Sequence, residues 1–205
     1  MSDVPRTVNH MATITVAPAT QDRFDDAEHA LTGGGDGASC QCQWWLLTGR
    51  RFDALTRVEK EERLRIELAE SPAPALIAYV DGVAAGWGRV GPRTKQPRLS
   101  RTRAFAGSPH PWDDPDVWAA TCFVVRREFR GQGLTAKLLE AAVEHARAGG
   151  ARVLEAYPTD TAVRDTPTND LYIGILSVFL AAGFREVARP KPHRTIVELD
   201  LAQAG

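Results

Sequence analysis

Apolar and polar positions alternate over residues 11–17, with Ile14 and Val16 set against Thr13 and Thr15, and this period predicts a first strand. Residues 21–31 predict a short helix, stopped by Gly33-Gly34-Gly35-Asp36-Gly37, a run that breaks both regular structures and reads as a mobile loop. A second helix is expected from Asp53 to Glu70, with Thr56 and Glu59 at capping-box spacing and Ser71-Pro72 as the stop. Its Glu59-Lys60-Glu61-Glu62-Arg63 run reads as a solvated face. Residues 75–80 and 83–90 flank Asp81-Gly82, a two-residue hairpin signal, and Gly86 and Gly88 predict a bulge or a close backbone approach. After a connection over 91–115, residues 117–125 form an apolar strand. From Leu134 the apolar residues fall at 134, 138, 139, 142, 143 and 146, the stripe of an amphipathic helix that Gly149-Gly150 caps. Residues 153–157 read as a buried strand and 158–170 as a polar loop. A helix over 171–182 stops at Gly183, and strands at 184–187 and 195–201 follow.

An antiparallel hairpin ahead of one crossover helix predicts an α/β protein with a mixed sheet. The chain has 205 residues, the length of one domain, expected over 11–205 behind a polar, flexible start at 1–10. With 25 Lys+Arg against 26 Asp+Glu the net charge is −1, which argues against a nucleic-acid partner. No apolar run approaches a membrane span and no signal peptide is evident, so no membrane partner is expected. Three cysteines do not describe a disulfide framework, and a reducing cytoplasm is the expected compartment.

The chemistry gathers where the strand at 117–125 meets the helix at 134. Gly131 and Gly133 let backbone approach a ligand closely, and the free N–H groups of a first helical turn favour an anion, a pyrophosphate above all. Arg126, Arg127 and Arg130 add positive charge beside it. Strand, Arg-Gly-x-Gly and amphipathic helix together resemble the acetyl-CoA-binding motif of the GNAT acyltransferase superfamily, written Arg/Gln-x-x-Gly-x-Gly/Ala. Arg130, Gly133 and Thr135 hold its fixed positions, Thr135 departing from the small residue expected last. Ala181-Ala182-Gly183-Phe184 is similar to the family's late Gly-Phe, and the resemblance spans roughly residues 74–201.

That resemblance implies the GNAT fold, acetyl-CoA as co-substrate, and an amine acceptor. By the same resemblance Phe123, Val124 and Val125 offer main-chain contacts to the pantetheine arm, and a backbone N–H near Phe123 would bind the oxyanion. Arg130, Gly131, Gln132, Gly133, Leu134, Thr135 and Ala136 would cradle the pyrophosphate. Relatives often place an acidic tyrosine four residues before Gly-Phe; here Phe179 stands there and cannot donate a proton. Tyr172, expected on the same helix, and Tyr157 remain as candidate acids, against the reading of each as a hydrogen-bonded core residue. Glu155 ranks first as a base because a carboxylate in an apolar strand has its pKa raised, ahead of Asp116 and His110. Trp44 and Trp45 either wall an acceptor pocket or pack a core edge. Cys40 and Cys42 lack the further ligands of a zinc site, so no metal is expected. The arginines and lysine of 91–115 either attract a phosphate or an acidic acceptor or are simply solvated. The expected function is transfer of an acetyl group from acetyl-CoA to a primary amine of a small molecule or protein, by a monomer or a homodimer. The alternative is a non-catalytic CoA-binding sensor. A P-loop nucleotide site is disfavoured because no Gly-Lys-Ser/Thr follows the glycines.

Overall fold

The computed structural model describes residues 12–202, so the expectations for residues 1–10 lie outside it. The first strand, β1, is Ile14–Pro18, and β2 (Ala75–Val80) and β3 (Val83–Pro92) form the hairpin. Asp81 takes φ 48°, the left-handed backbone that a type I′ turn demands. Between β1 and β2 lie α1 (Phe24–Thr32), the short α2 (Gly37–Cys40), α3 (Gly49–Ala54) and α4 (Arg57–Glu67). The single helix expected over 53–70 is therefore two. Thr56 breaks it because its backbone is extended and its hydroxyl caps the Glu59 N–H, while the Glu59 carboxylate accepts from the Thr56 N–H at 2.7 Å.

The connection after β3 is not structureless. It carries α5 (Arg98–Arg101) between two 3₁₀ turns and leads into β4 (Val117–Val125). Then come α6 (Leu134–Ala148), β5 (Val153–Ala156), α7 (Leu176–Ala181), β6 (Arg185–Lys191) and β7 (Arg194–Asp200). The helix expected over 171–182 is thus confined to its last turns, and Tyr172 lies outside it. Gly174 stops any earlier start: its φ of 85° is not helical, and a side chain there would meet the Phe179 ring at 2.4 Å.

Seven strands form one mixed sheet in the order β1-β2-β3-β4-β5-β7-β6, in which only β4 and β5 run parallel. The α6 stripe (Leu134, Leu138, Leu139, Ala142, Ala146) is buried on one face with Trp118, Phe123, Phe179 and Phe184. Each buried leucine there contributes about 1.5–3 kcal/mol of transfer free energy. The opposite face buries Phe24, Leu31, Trp45, Leu64, Trp87, Cys122 and Tyr157 beneath α1 and α4. Among the described residues no helix is long and apolar enough to cross a membrane.

Candidate active site

The site begins where the sheet comes apart. β4 and β5 pair from Val117–Val153 to Ala120–Ala156, after which β5 ends and β4 runs on to Val125 paired with β3 alone. At the parting point β4 carries a bulge. Arg89 opposes Cys122 and Val90 opposes Ala120, so Thr121 is the extra residue. The Gln96 side chain holds it, accepting from the Thr121 hydroxyl at 2.6 Å and donating to the Ala119 carbonyl at 3.1 Å. One extra residue reverses the alternation of side chains. Trp118, Ala120 and Phe123 therefore share the α6 face, while Cys122 joins Trp87 on the other. Thr121 is the one hydroxyl-bearing residue in that apolar strand, the only trace of the bulge in the sequence.

Arg126 donates its N–H to Ala85 across the β3 pairing, so by alternation Phe123 and Val125 turn theirs into the gap. The Phe123 N–H is engaged there, donating to the Tyr172 carbonyl at 2.5 Å.

Beyond Val125 the chain turns into α6 through Gly131 and Gly133, each at φ 79°. Gly133 is the N-cap and supplies no side chain, which leaves the first N–H groups of α6 without a cap. A side chain built on either glycine would meet nothing within 4 Å, so the space over these amides is open. Arg130, Gln132 and Ala136 are exposed, Thr135 half-buried and Leu134 buried, so Leu134 can serve a ligand only through its amide. Arg130 is pinned by a bond from its Nε to the Val125 carbonyl at 3.2 Å. The glycine run at 33–37 rests on this turn, with Gly33 accepting the Arg127 N–H at 3.1 Å.

Open amides at the start of a fifteen-residue helix, beside a fixed arginine, suit a pyrophosphate, so the residues present fit coenzyme A. When bound, that group supplies the activated acyl thioester.

A cleft of about 630 Å³ runs from Arg130, Thr135 and Val178 at this end to Trp44, Trp45 and Phe52 at the other. Trp44 meets Phe52 edge-on at 5.2 Å and is covered by the Arg98 guanidinium at 3.4 Å. Arg98 in turn donates to the Trp44 and Leu47 carbonyls. That arginine of the 91–115 connection fixes a wall. Trp45 is both wall and core: it lines the cleft, is 1 % exposed, and packs against Phe105 and Tyr172. Asp36 and Asp170 are the carboxylates at the edge of the cleft.

Of the three residues expected to move protons, only Tyr172 lines the cleft. Burial, and then the Cys122 sulfur, raise its pKa. Glu155 is wholly buried, paired with Arg93 at 2.9 Å, and accepts from the Tyr157 hydroxyl at 2.8 Å and from Ser108. Burial and then that carboxylate push the Tyr157 pKa far up. Tyr157 and Glu155 thus form a closed internal network away from the cleft lining. His110 and Glu198 complete it at 2.9 Å, and Arg185 also engages Glu198. His110, Glu155 and Glu198 bring ligand-type atoms within 4.8 Å of one another, but arginines already neutralise both carboxylates. Asp116 is exposed at the start of β4, remote from the gap.

The cleft also gathers all three cysteines. Cys42, at φ 55° after Gln41 at φ 48°, accepts from Trp87 Nε1 at 3.2 Å and from Arg89 Nε at 3.1 Å. Arg89 also donates from both terminal nitrogens to Glu67, at 2.7 and 2.8 Å. Burial raises the Cys42 pKa, but the Cys122 thiol, the Arg89 charge and these N–H donors outweigh it and hold it below the usual thiol range. Burial, and then Cys42, push Cys40 up to about 11. This grouping depends on the Thr121 bulge, which the residue pattern did not reveal.

A search of the curated proteins finds no significant match. Solved structures sharing the fold include an N-acetyltransferase from Staphylococcus aureus Mu50 (16 % identity, TM-score 0.53, covering 92 % of this chain and 99 % of that one). Another is yncA of Salmonella typhimurium, solved with its cofactor acetyl-CoA (17 % identity, TM-score 0.53, covering 94 % and 96 %). A third is the paia N-acetyltransferase of Thermoplasma acidophilum in complex with coenzyme A (13 % identity, TM-score 0.52, covering 92 % and 99 %). Identities this low establish the fold alone. Residues 42–174, more than half of the chain, match the model of the acetyltransferase (GNAT) family; the chain belongs to that family and is an acyltransferase.

Proposed function

We propose that the enzyme moves an acetyl group from acetyl-CoA to the primary amine of a small, largely apolar molecule. The observation that carries this is the continuity of one cleft from the open amides of α6 to an aromatic wall of Trp44, Trp45 and Phe52. A pocket of about 630 Å³ walled by aromatics suits a small molecule with an apolar body. Asp36 and Asp170 would draw a cationic amine toward it.

In this reading Leu134, Thr135 and Ala136 hold the pyrophosphate through their amides, with Arg130 beside them. Phe123 and Val125 receive the pantetheine arm along the free edge of β4. The Phe123 N–H is the oxyanion donor, and the thioester oxygen takes the place that the Tyr172 carbonyl holds at 2.5 Å. The ammonium would lose one proton to water and the amine attack the carbonyl carbon; as the C–S bond breaks, Tyr172 would protonate the departing thiolate, and the second proton shed by the nitrogen would return through solvent to the phenolate. Its raised pKa keeps that phenol protonated at neutral pH.

Thiol release with acetyl-CoA over a panel of amines tests the reading. Arylalkyl and alkyl amines should be acetylated in preference to polyamines and peptides. Tyr172→Phe should slow turnover about 10²-fold with CoA affinity nearly kept, the usual size for loss of a general acid. A preference for peptide amino termini would overturn the acceptor class, and full activity in Tyr172→Phe would remove that residue from the mechanism.

A further inference from the structure

We infer that Cys42 and Cys122 are an oxidisable dithiol set in the wall of the cleft, in which Cys42 reacts with a hydroperoxide and Cys122 closes the disulfide. Nothing in acetyl transfer calls for this pair.

The argument starts from donors. Sulfur is a weak acceptor, yet Cys42 Sγ receives one N–H from Trp87 at 3.2 Å and a second, charged one from Arg89 at 3.1 Å. Cys122 stands opposite Arg89 in the β3–β4 pairing, on the same buried face and in the same cleft lining as Cys42. Two N–H donors on one sulfur, one of them from a guanidinium, stabilise the thiolate over the thiol. The charges facing it are Arg89 and, behind Arg89, the Glu67 carboxylate. Thiolate is the form that attacks peroxides and disulfides.

A plain buried cysteine would not call for this arrangement. Cys42 holds a left-handed backbone at φ 55°, directly after Gln41 at φ 48°, a strained pair of the kind that persists where surrounding contacts fix it. The Thr121 bulge turns Cys122 toward the same face. Both sulfurs border the cleft, so a small hydroperoxide entering it meets them, although each residue is less than a tenth exposed.

The chemistry balances without a further reagent. The Cys42 thiolate attacks the terminal oxygen of the hydroperoxide, the O–O bond breaks, and Cys42 becomes a sulfenic acid. The alkoxide released takes the Cys122 proton. The Cys122 thiolate then attacks the Cys42 sulfur, the S–O bond breaks, hydroxide leaves, and the S–S bond forms. Two cysteine sulfurs are each oxidised by one electron and the peroxide is reduced by two. Joining the segment around Cys42 to β4, one residue from Phe123, narrows the cleft where the acceptor and the thioester would meet.

The test is a titration of the whole protein with hydrogen peroxide, followed by intact mass and peptide mapping. At about one equivalent the wild type should lose two hydrogens, link the Cys42 and Cys122 peptides, and recover fully with dithiothreitol. Cys122→Ser should instead hold a sulfenic acid at Cys42 that dimedone traps, and Cys42→Ser should resist oxidation. CoA binding to the oxidised protein should be weakened at least tenfold and restored on reduction. A disulfide through Cys40, or Cys122 oxidising equally fast in Cys42→Ser, would overturn the proposal, as would a wild type unchanged by excess peroxide. The mass readout is independent of acetyl transfer, so a negative amine panel leaves it standing.

Discussion

Glu155 shows how one residue changes meaning once its neighbours are known. On sequence alone it is a carboxylate in an apolar strand, the pattern of a base waiting for a proton. In the fold it faces Arg93, and both are almost wholly buried, at 0 % and 2 % side-chain exposure. Such a pair contributes little net stability, but breaking it strands a charge in the interior, at a cost of about 3–5 kcal/mol. Glu155→Gln should therefore lower the free energy of unfolding in urea by that amount. Glu155→Leu combined with Arg93→Met should recover much of the loss, because no charge is left unpaired. Unchanged stability in Glu155→Gln with collapsed turnover would return the residue to the mechanism. Cys42 makes a complementary case: its thiolate should absorb in the ultraviolet at pH values well below those at which ordinary thiols ionise, and Cys42→Ser should abolish that signal. A titration at the ordinary thiol value would remove the charge assigned to it.

Elements were legible where their signals are local. Thr56 and Glu59 lie within one turn, and Asp81-Gly82 sets its own backbone, so α4 and the β2–β3 hairpin follow from short stretches. The α7 region was not legible, because its register is fixed from a distance. Leu176 donates its N–H to Thr159 at 2.9 Å, and Tyr172 offers its carbonyl to Phe123. An apolar run alone does not say that residues 171–175 spend their backbone groups on other strands. Gly174, at φ 85°, is where the two demands meet. Gly174→Ala should destabilise the protein by more than about 1 kcal/mol, since it places a side chain in a left-handed backbone and against Phe179. It should weaken CoA binding as well, because residues 168–172 and Gly174 and Ile175 line the cleft. A variant of unchanged stability and affinity would show that the segment tolerates another path.

At the scale of the molecule the candidate site is a consequence of topology. A parallel pair, β4 and β5, stands between antiparallel neighbours, and the chain must cross over through α6 to make it. The crossover puts the start of α6 at the open end of the gap, so the amide cradle and the free edge of β4 come together. The glycine turn and the open amides behind it were readable because their residues are contiguous. The thiol cluster was not, since Cys40 and Cys42 lie between β1 and β2 while Cys122 lies in β4; of the aromatic wall, Trp44 and Trp45 were expected as wall or core edge, and Phe52 was not singled out. The β1–β4 and β5–β7 parts of the sheet pair with each other over only four residues of β5, so a ligand seated along that seam should tighten both. Acetyl-CoA at a hundred times its dissociation constant should add about 2.7 kcal/mol to the free energy of unfolding, while ATP and NAD should add much less. Gly133→Glu should erase the acetyl-CoA effect, because a carboxylate would occupy the open space over the amides and repel the pyrophosphate. Some loss of basal stability is expected from a glutamate at φ 79°, so the quantity to compare is the shift caused by ligand, with circular dichroism confirming the fold. A folded Gly133→Glu variant that acetyl-CoA still stabilises in full would show that the glycine turn shapes the entry to α6 and does not hold the cofactor.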